Sequence, residues 1–330
     1  MGADDSNNEQ DSEEQLLVRV AWHYFMEGLT QSEIASALGT NRPRVNRLIG
    51  EARRSGLVTI TLNSHLTACV ELEGILCRRF GLDRAIIVPT PTKKEALAEI
   101  LGGAGAELLT QLLNLRTPQR IGVGWGQTVR EMVRKMPPFR HPGLSVSSVM
   151  GGLTRGIEIN TFDIASDLAR RIGAECSYFA APIYASSAES RDAIMNQNVF
   201  QEASANAAAS DVVFLSVGDM TDRSLMVRNG VPRDLPISEL IEQGACGDIM
   251  GQFIDRQGKP VDHPLNARTL ALPLADLKGV KNVVLMSGGL NKAEVIAAAL
   301  VGKHANTLIC DEETARKALE LADEVTAQAG

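Results

Sequence analysis

The residues best suited to chemistry fall into two groups: arginines crowded near the N-terminus, and glycine-bearing loops spread over the rest of the chain. Arg42, Pro43, Arg44, Asn46 and Arg47 are followed by Arg53 and Arg54. A guanidinium fork pairs with phosphate or with guanine O6 and N7, and an asparagine amide can read adenine. Between Gly28 and Ile60 five arginines stand against Glu33 and Glu51, a local excess of three positive charges in a chain of net charge −7. That clustering, not the overall charge, is what bears on DNA contact.

The second group begins with Gly124-Trp125-Gly126-Gln127-Thr128, directly after the β-branched run Arg120–Val123. Glycines let backbone N–H groups approach an anion, and a helix N-terminus adds a favourable dipole. Tight strand–helix packing explains this loop about as well. Ser287-Gly288-Gly289-Leu290-Asn291-Lys292 has the same character. Lys292 opens a helix, where a cation is disfavoured unless an anion sits nearby. Gly151-Gly152, with Arg155 and Asn160 downstream, forms a third loop, and Gly247–Asp255 a fourth. The fourth offers Asp248 and Asp255 as acceptors for sugar hydroxyls, although Asp255 reads equally as a turn residue before Gly258. Together the loops describe a site for a phosphorylated sugar or polyol. No Gly-Lys-Ser/Thr follows, and no dinucleotide fingerprint forms, so no cofactor is expected.

These residues need elements to hold them. Residues 1–12 are polar and acidic and read as a disordered tail. Leu17, Val20, Ala21 and Tyr24 recur at helical spacing, and Gly28 stops that helix. Thr30 with Glu33 spells a capping box opening a helix that faces inward through Ile34, Ala35 and Leu38. After Gly39, Asn41 caps a third helix with Pro43 in its first turn and Val45, Leu48, Ile49 and Ala52 inward. Three short helices with a glycine-containing turn before the third predict a helix-turn-helix domain over 13–62, its arginines facing a major groove. The plainer alternative is a three-helix bundle with a solvated basic face.

Beyond Leu62 short apolar runs alternate with helical patterns. Strands are expected at Ala85–Val88, Arg120–Val123, Leu144–Met150, Val212–Val217, Asn282–Met286 and Thr307–Cys310. Helices are expected at Leu66–Phe80, Lys93–Leu115, Val129–Lys135, Phe162–Ile172, Lys292–Val301 and Glu312–Ala327. The fold class is α/β: after the helix-turn-helix comes a Rossmann-like, mostly parallel α/β domain over 63–330. Ligands in such sheets bind beyond the carboxyl ends of the strands, where the first three loops fall.

The run LTQSEIASALGTNRPRVNRLIGEARRSGLVTI resembles the DNA-binding domain of the SorC family of sugar-responsive transcriptional regulators. It matches at Arg42, Val45, Arg47, Ala52, Arg53, Gly56, Val58 and Ile60. It departs at Arg44 and Asn46, where the family usually has Thr and Ser. Gly122–Thr128, Gly151-Gly152 with Asn160, Gly244–Gly258, Gly288–Lys292 and Leu308–Ala315 match the family's sugar-binding domain in order. The resemblance implies a fold akin to sugar-phosphate isomerases used for sensing. It also implies operator DNA as partner, an effector that changes operator affinity, and a homodimer or homotetramer.

Composition supports a globular cytoplasmic protein, with 44% hydrophobic and 22% charged residues. No uniformly apolar run reaches the ~18 residues of a membrane span, and the acidic start lacks a secretory pattern. Five scattered cysteines and five unpaired histidines argue against disulfides and against a metal site. The rival class is a sugar-phosphate isomerase with Asp248, Asp255, Asp219 or His263 as general base. An isomerase gains nothing from a helix-turn-helix.

Overall fold

The computed structural model describes residues 4–58, 67–115, 118–140, 143–154, 160–233 and 235–329, with side chains from Glu13 through Ala327. The chain divides into two compact units, Met1–Ser64 and His65–Gly330.

The first unit holds α1 (Asp4–Phe25), α2 (Gln31–Ala37) and α3 (Arg42–Arg54). Helix α1 starts at Asp4 and so covers most of the segment whose composition predicts a tail. The Thr30 hydroxyl accepts from the Glu33 amide at 3.4 Å, and the Glu33 carboxylate accepts from the Thr30 amide at 2.8 Å, completing the capping box. Gly39 takes a φ of +62° in the connection to α3, a conformation that favours glycine. Asn41 then caps α3 by accepting from the Arg44 amide at 2.9 Å. Val20, Ile34, Ala35, Val45, Leu48 and Ile49 close a small buried core.

The second unit runs α4 (Thr67–Phe80), β1 (Arg84–Val88), α5 (Leu97–Asn114), β2 (Arg120–Val123), α6 (Gln127–Lys135), β3 (Ser145–Ser148), α7 (Thr161–Ile172), β4 (Glu175–Ser177), α8 (Ala188–Met195) and α9 (Asn198–Ala208). It continues through β5 (Val212–Leu215), β6 (Val217–Asp219), α10 (Ile237–Glu242), β7 (Gly247–Ile249), β8 (Gln252–Ile254), α11 (Pro264–Ala267), β9 (Asn282–Met286), α12 (Ala293–Val301), β10 (Thr307–Asp311) and α13 (Glu312–Ala329). Seven strands form one sheet in the order β1-β10-β9-β5-β2-β3-β4, with every pairing parallel. Parallel strands need helical crossovers that cover both faces, which is why β5 is buried at every position.

Three expectations change. The run Val212–Val217 breaks at Ser216: β5 stays in the parallel sheet, and β6 joins a small antiparallel sheet β6-β7-β8. Gly247–Asp255 is the hairpin of that small sheet rather than an open loop, turning at Met250 and Gly251 with φ of +53° and +76°. Helix α5 begins after a 3-10 turn at Lys94–Ala96. With that turn it makes a 21-residue helix of mean hydropathy 1.2, long and apolar enough to cross a membrane by length and composition. Here its Leu101, Leu109 and Leu113 are buried in the domain core, and the Met286 thioether packs on Gly105.

Candidate functional site

Helix α3 presents Arg42, Pro43, Arg44, Asn46 and Arg47 on an exposed face, because Val45, Leu48 and Ile49 turn the other face into the core. Several of these side chains already have partners. Arg42 Nε donates to Gln31 Oε1 at 3.4 Å, and Gln31 Nε2 donates to Asn46 Oδ1 at 3.2 Å. Arg47 Nη2 donates to Glu13 Oε1 at 2.7 Å, which holds the Glu13 carboxyl below its ordinary range. Arg53 lies 5.3 Å above the Phe25 ring, so it is stacked as well as exposed. Arg54 ends the helix, exposed.

The second site is a cleft of about 180 Å³ beyond the carboxyl ends of β2, β5 and β9. Trp125, Gly126 and Gln127 come from the turn after β2, Ser216 from the break after β5, and Asn291 and Lys292 from the turn after β9. Asp219 and Asp248 enter from the small sheet, and Arg223 and Ser224 from the irregular chain after β6. Gly126 caps α6 with φ +130°, and its amide and that of Gln127 meet no acceptor among the described residues.

Charge in this cleft is paired only in part. Lys292 is the N-cap of α12 and half-buried. Among the described residues its ammonium has no hydrogen-bond or ion-pair partner within 4 Å. Burial pushes the lysine below its ordinary pKa, against the pull of Asp219 and Asp248. Asp248 is 2% exposed, and burial raises its carboxyl to about 6. The Gly251 amide, donating to Oδ2 at 2.9 Å, and then Lys292 act against that rise, while Asp219 adds to it. Asp248 Oδ1 has no hydrogen-bond partner among the described residues. It fits beside Gly218, where a Cβ would collide with it. Tyr184 donates to the Gly251 carbonyl at 2.6 Å and braces the hairpin turn. Asp219 is engaged from both sides: Thr221 donates through its amide at 2.7 Å and through its hydroxyl, and Asn291 donates at 2.6 Å.

The remaining residues singled out by sequence lie elsewhere. Gly124 donates its amide to Phe214, Gly151 to Leu270 and Gly152 to Ala181, all backbone carbonyls. The Gly289 amide is taken by Asp311 and Thr314, and Gly288 makes room for Asp311. Thr128 is buried in the first turn of α6 and does not line the cleft. Asn160 donates to the Leu153 carbonyl and borders a separate groove between α6 and α7. Asp255 accepts from the amides of Gln257 and Lys259, which is a turn. Arg155 lies outside the described residues. Arg223 and Ser224 were not legible: they sit in no motif and follow no strand of the main sheet.

A family described as "Putative sugar-binding domain" matches residues 64–320. The chain is 32% identical over 313 residues to the transcriptional regulator LsrR of Escherichia coli (strain SMS-3-5 / SECEC), covering 92% of this chain and 94% of that protein. It is 28% identical over 306 residues to the erythritol catabolism regulatory protein EryD of Brucella abortus (strain 2308), covering 93% and 96%. The crystal structure of the full-length sorbitol operon regulator SorC from Klebsiella pneumoniae superposes with a TM-score of 0.70 at 27% identity, covering 94% of this chain and 99% of that one.

Proposed function

Since the chain belongs to the SorC family of sugar-binding transcriptional regulators, we propose that α3 holds operator DNA in the cytoplasm and that a phosphorylated sugar or polyol in the cleft sets how tightly. One observation carries the effector class: Lys292, half-buried and without an anionic partner within 4 Å among the described residues, shares a cleft with the buried carboxylate of Asp248. An anion at Lys292 and the amides of Gly126 and Gln127 would relieve the buried cation, with the dipole of α6 in support. Arg223 closes the rim and Trp125 forms a wall. Hydroxyl groups of the same ligand would donate to Asp248. In this reading the four glycines with engaged amides, Gly124, Gly151, Gly152 and Gly289, shape loops, and Thr128 supports α6 from within.

The operator is read by a two-fold pair of chains, as a dimer or tetramer, because one helix-turn-helix reaches few bases. A thermal-shift panel of phosphorylated sugars and polyols identifies the effector class. Titration calorimetry with the best ligand should then show Lys292→Ala weakening affinity about 10- to 100-fold, the scale of a lost charge-assisted contact. Unchanged affinity places the anion elsewhere.

A second reading, isomerase catalysis, draws on Asp248, whose carboxyl near 6 suits a general base. Incubation with the same ligand in D2O decides it. Deuterium appearing at the carbon beside the carbonyl supports catalysis, and an unlabelled ligand supports sensing.

A further inference from the structure

A carboxylate stands among the arginines of α3. Glu13 of α1 places Oε1 2.7 Å from Arg47 Nη2 and 3.7 Å from Arg44 Nη2. Arg47 Nη1 lies a further 3.8 Å from Glu51 Oε2 on its own helix. Glu13 reaches this face because Leu16, Leu17 and Val20, just beyond it on α1, pack on the core that holds Val45, Leu48 and Ile49. Its side chain is 51% exposed, so the fold gains little from its charge. A negative group on a surface meant for phosphates costs affinity, which asks what it supplies in return.

Gln31 supplies the contrast. It ties Arg42 to Asn46 on the same face without any charge. Glu13 ties Arg47 with a charge, and that difference has a consequence for DNA. Against a duplex that offers no matching base, Arg44 and Arg47 gain only by turning to phosphates, which strands the Glu13 carboxylate beside the backbone. Against a matching base edge, Arg47 can keep one N–H of Nη2 on Glu13 and offer the other, together with Nη1, to the base. The carboxylate therefore penalises the wrong complex more than the right one, the usual route to discrimination.

We propose that Glu13 is a specificity-setting residue of the DNA-reading face: it orients Arg47 and suppresses binding to non-cognate duplex. This rests on the reading of α3 as the groove-binding helix. The test uses the full chain with two probes, a duplex enriched by the wild-type protein from a random library and a scrambled duplex of the same composition. Glu13→Gln keeps an acceptor for Arg47 but removes the charge. It should bind the scrambled duplex about 5- to 10-fold tighter and gain no more than about twofold on the enriched one. The slope of log affinity against log salt for the scrambled duplex should steepen by about one. Glu13→Ala should show the same gain on the scrambled duplex and weaker binding to the enriched one, since Arg47 loses its orienting partner. A Glu13→Gln protein whose ratio of the two affinities equals that of the wild type overturns the proposal. Arg47→Ala separates the levels. If it binds the enriched duplex as the wild type does, α3 is not the reading helix and both ideas fall; if it binds weakly while the Glu13→Gln ratio is unchanged, only the role of Glu13 falls.

Discussion

In the first unit the working charges stand in water: the side chains of Arg44 and Arg47 are 46% and 55% exposed, and their partner Glu13 is as open. In the second unit Asp248 is 2% exposed and Lys292 faces it from a half-buried helix start. Exposed guanidiniums keep their charge and exchange partners at little cost, which suits contact with a ladder of phosphates. A buried carboxylate does neither: its proton affinity changes, and an unmatched oxygen waits for a donor. On the proposed function, one unit would rearrange charge on contact with DNA, whereas the other would be completed by its ligand.

The largest test of this contrast removes the small core beneath the exposed charges. A unit of about 60 residues has only some 3–9 kcal/mol of stability, and Leu48 is fully buried in it. Leu48→Ala, at ~2–5 kcal/mol, should unfold the DNA-reading unit and abolish DNA binding. Ligand-induced thermal shift in the larger unit should persist. Calorimetry showing one unchanged transition would mean the two units do not fold separately.

Next comes Asp248. The folded chain raises its carboxyl from 3.8 to about 6, so the folded state holds this proton more tightly than the unfolded chain does. The associated stability is full below about pH 4 and is lost as pH rises through about 6, in all about 3 kcal/mol. Denaturation of Asp248→Asn from pH 4 to 7 should lack this decline relative to the wild type. A bound polyol, donating to the carboxylate, should release a proton near pH 6 and bind more weakly at pH 5 than at pH 7. Parallel pH curves for the two proteins would remove Asp248 from the cleft's electrostatics.

The smallest effect belongs to the capping box, where Thr30→Ala should cost ~1 kcal/mol by leaving the Glu33 amide without its acceptor. A lower melting point confined to the first unit, with effector affinity unchanged, is the expected result.

The first unit was far more legible than the second, and the reason lies in distance along the chain. Caps, turn glycine and apolar stripe of α2 and α3 are local signals, so Thr30, Asn41 and Val45 fell where the pattern put them. Strands β2 and β9 were read to the residue, since a buried parallel strand is an unbroken apolar or β-branched run. Strand β4 was missed because it is a three-residue edge strand, exposed at Glu175 and half-buried at Cys176 and Ser177. The β7–β8 hairpin was missed because its turn uses Met250 at positive φ in place of the usual Asn or Asp. Electrostatic conflict points to Lys292 and acceptor chemistry to Asp248, and both line the cleft. In sequence Asp219 stands out only as a possible catalytic base, and its part in the cleft depends on Asn291, far along the chain. Glycine-rich spelling overstated the loops, because a glycine freed for close packing and one freed for an anion look the same in sequence.

The pairing of β1 with β10 brings in the timing of synthesis. Among the described residues, Arg84–Val88 has its one sheet partner in Thr307–Asp311. At roughly 5–20 residues per second, that partner leaves the ribosome on the order of ten seconds or more after β1. The helical unit before it, built on local contacts, folds within a small fraction of that interval. A nascent chain thus carries a finished first unit while the parallel sheet of the second still lacks an edge. A message cut short before Thr307 would release a folded first unit joined to a sheet with β1 unpaired and β9 open on one side, without the completed sheet that supports Lys292.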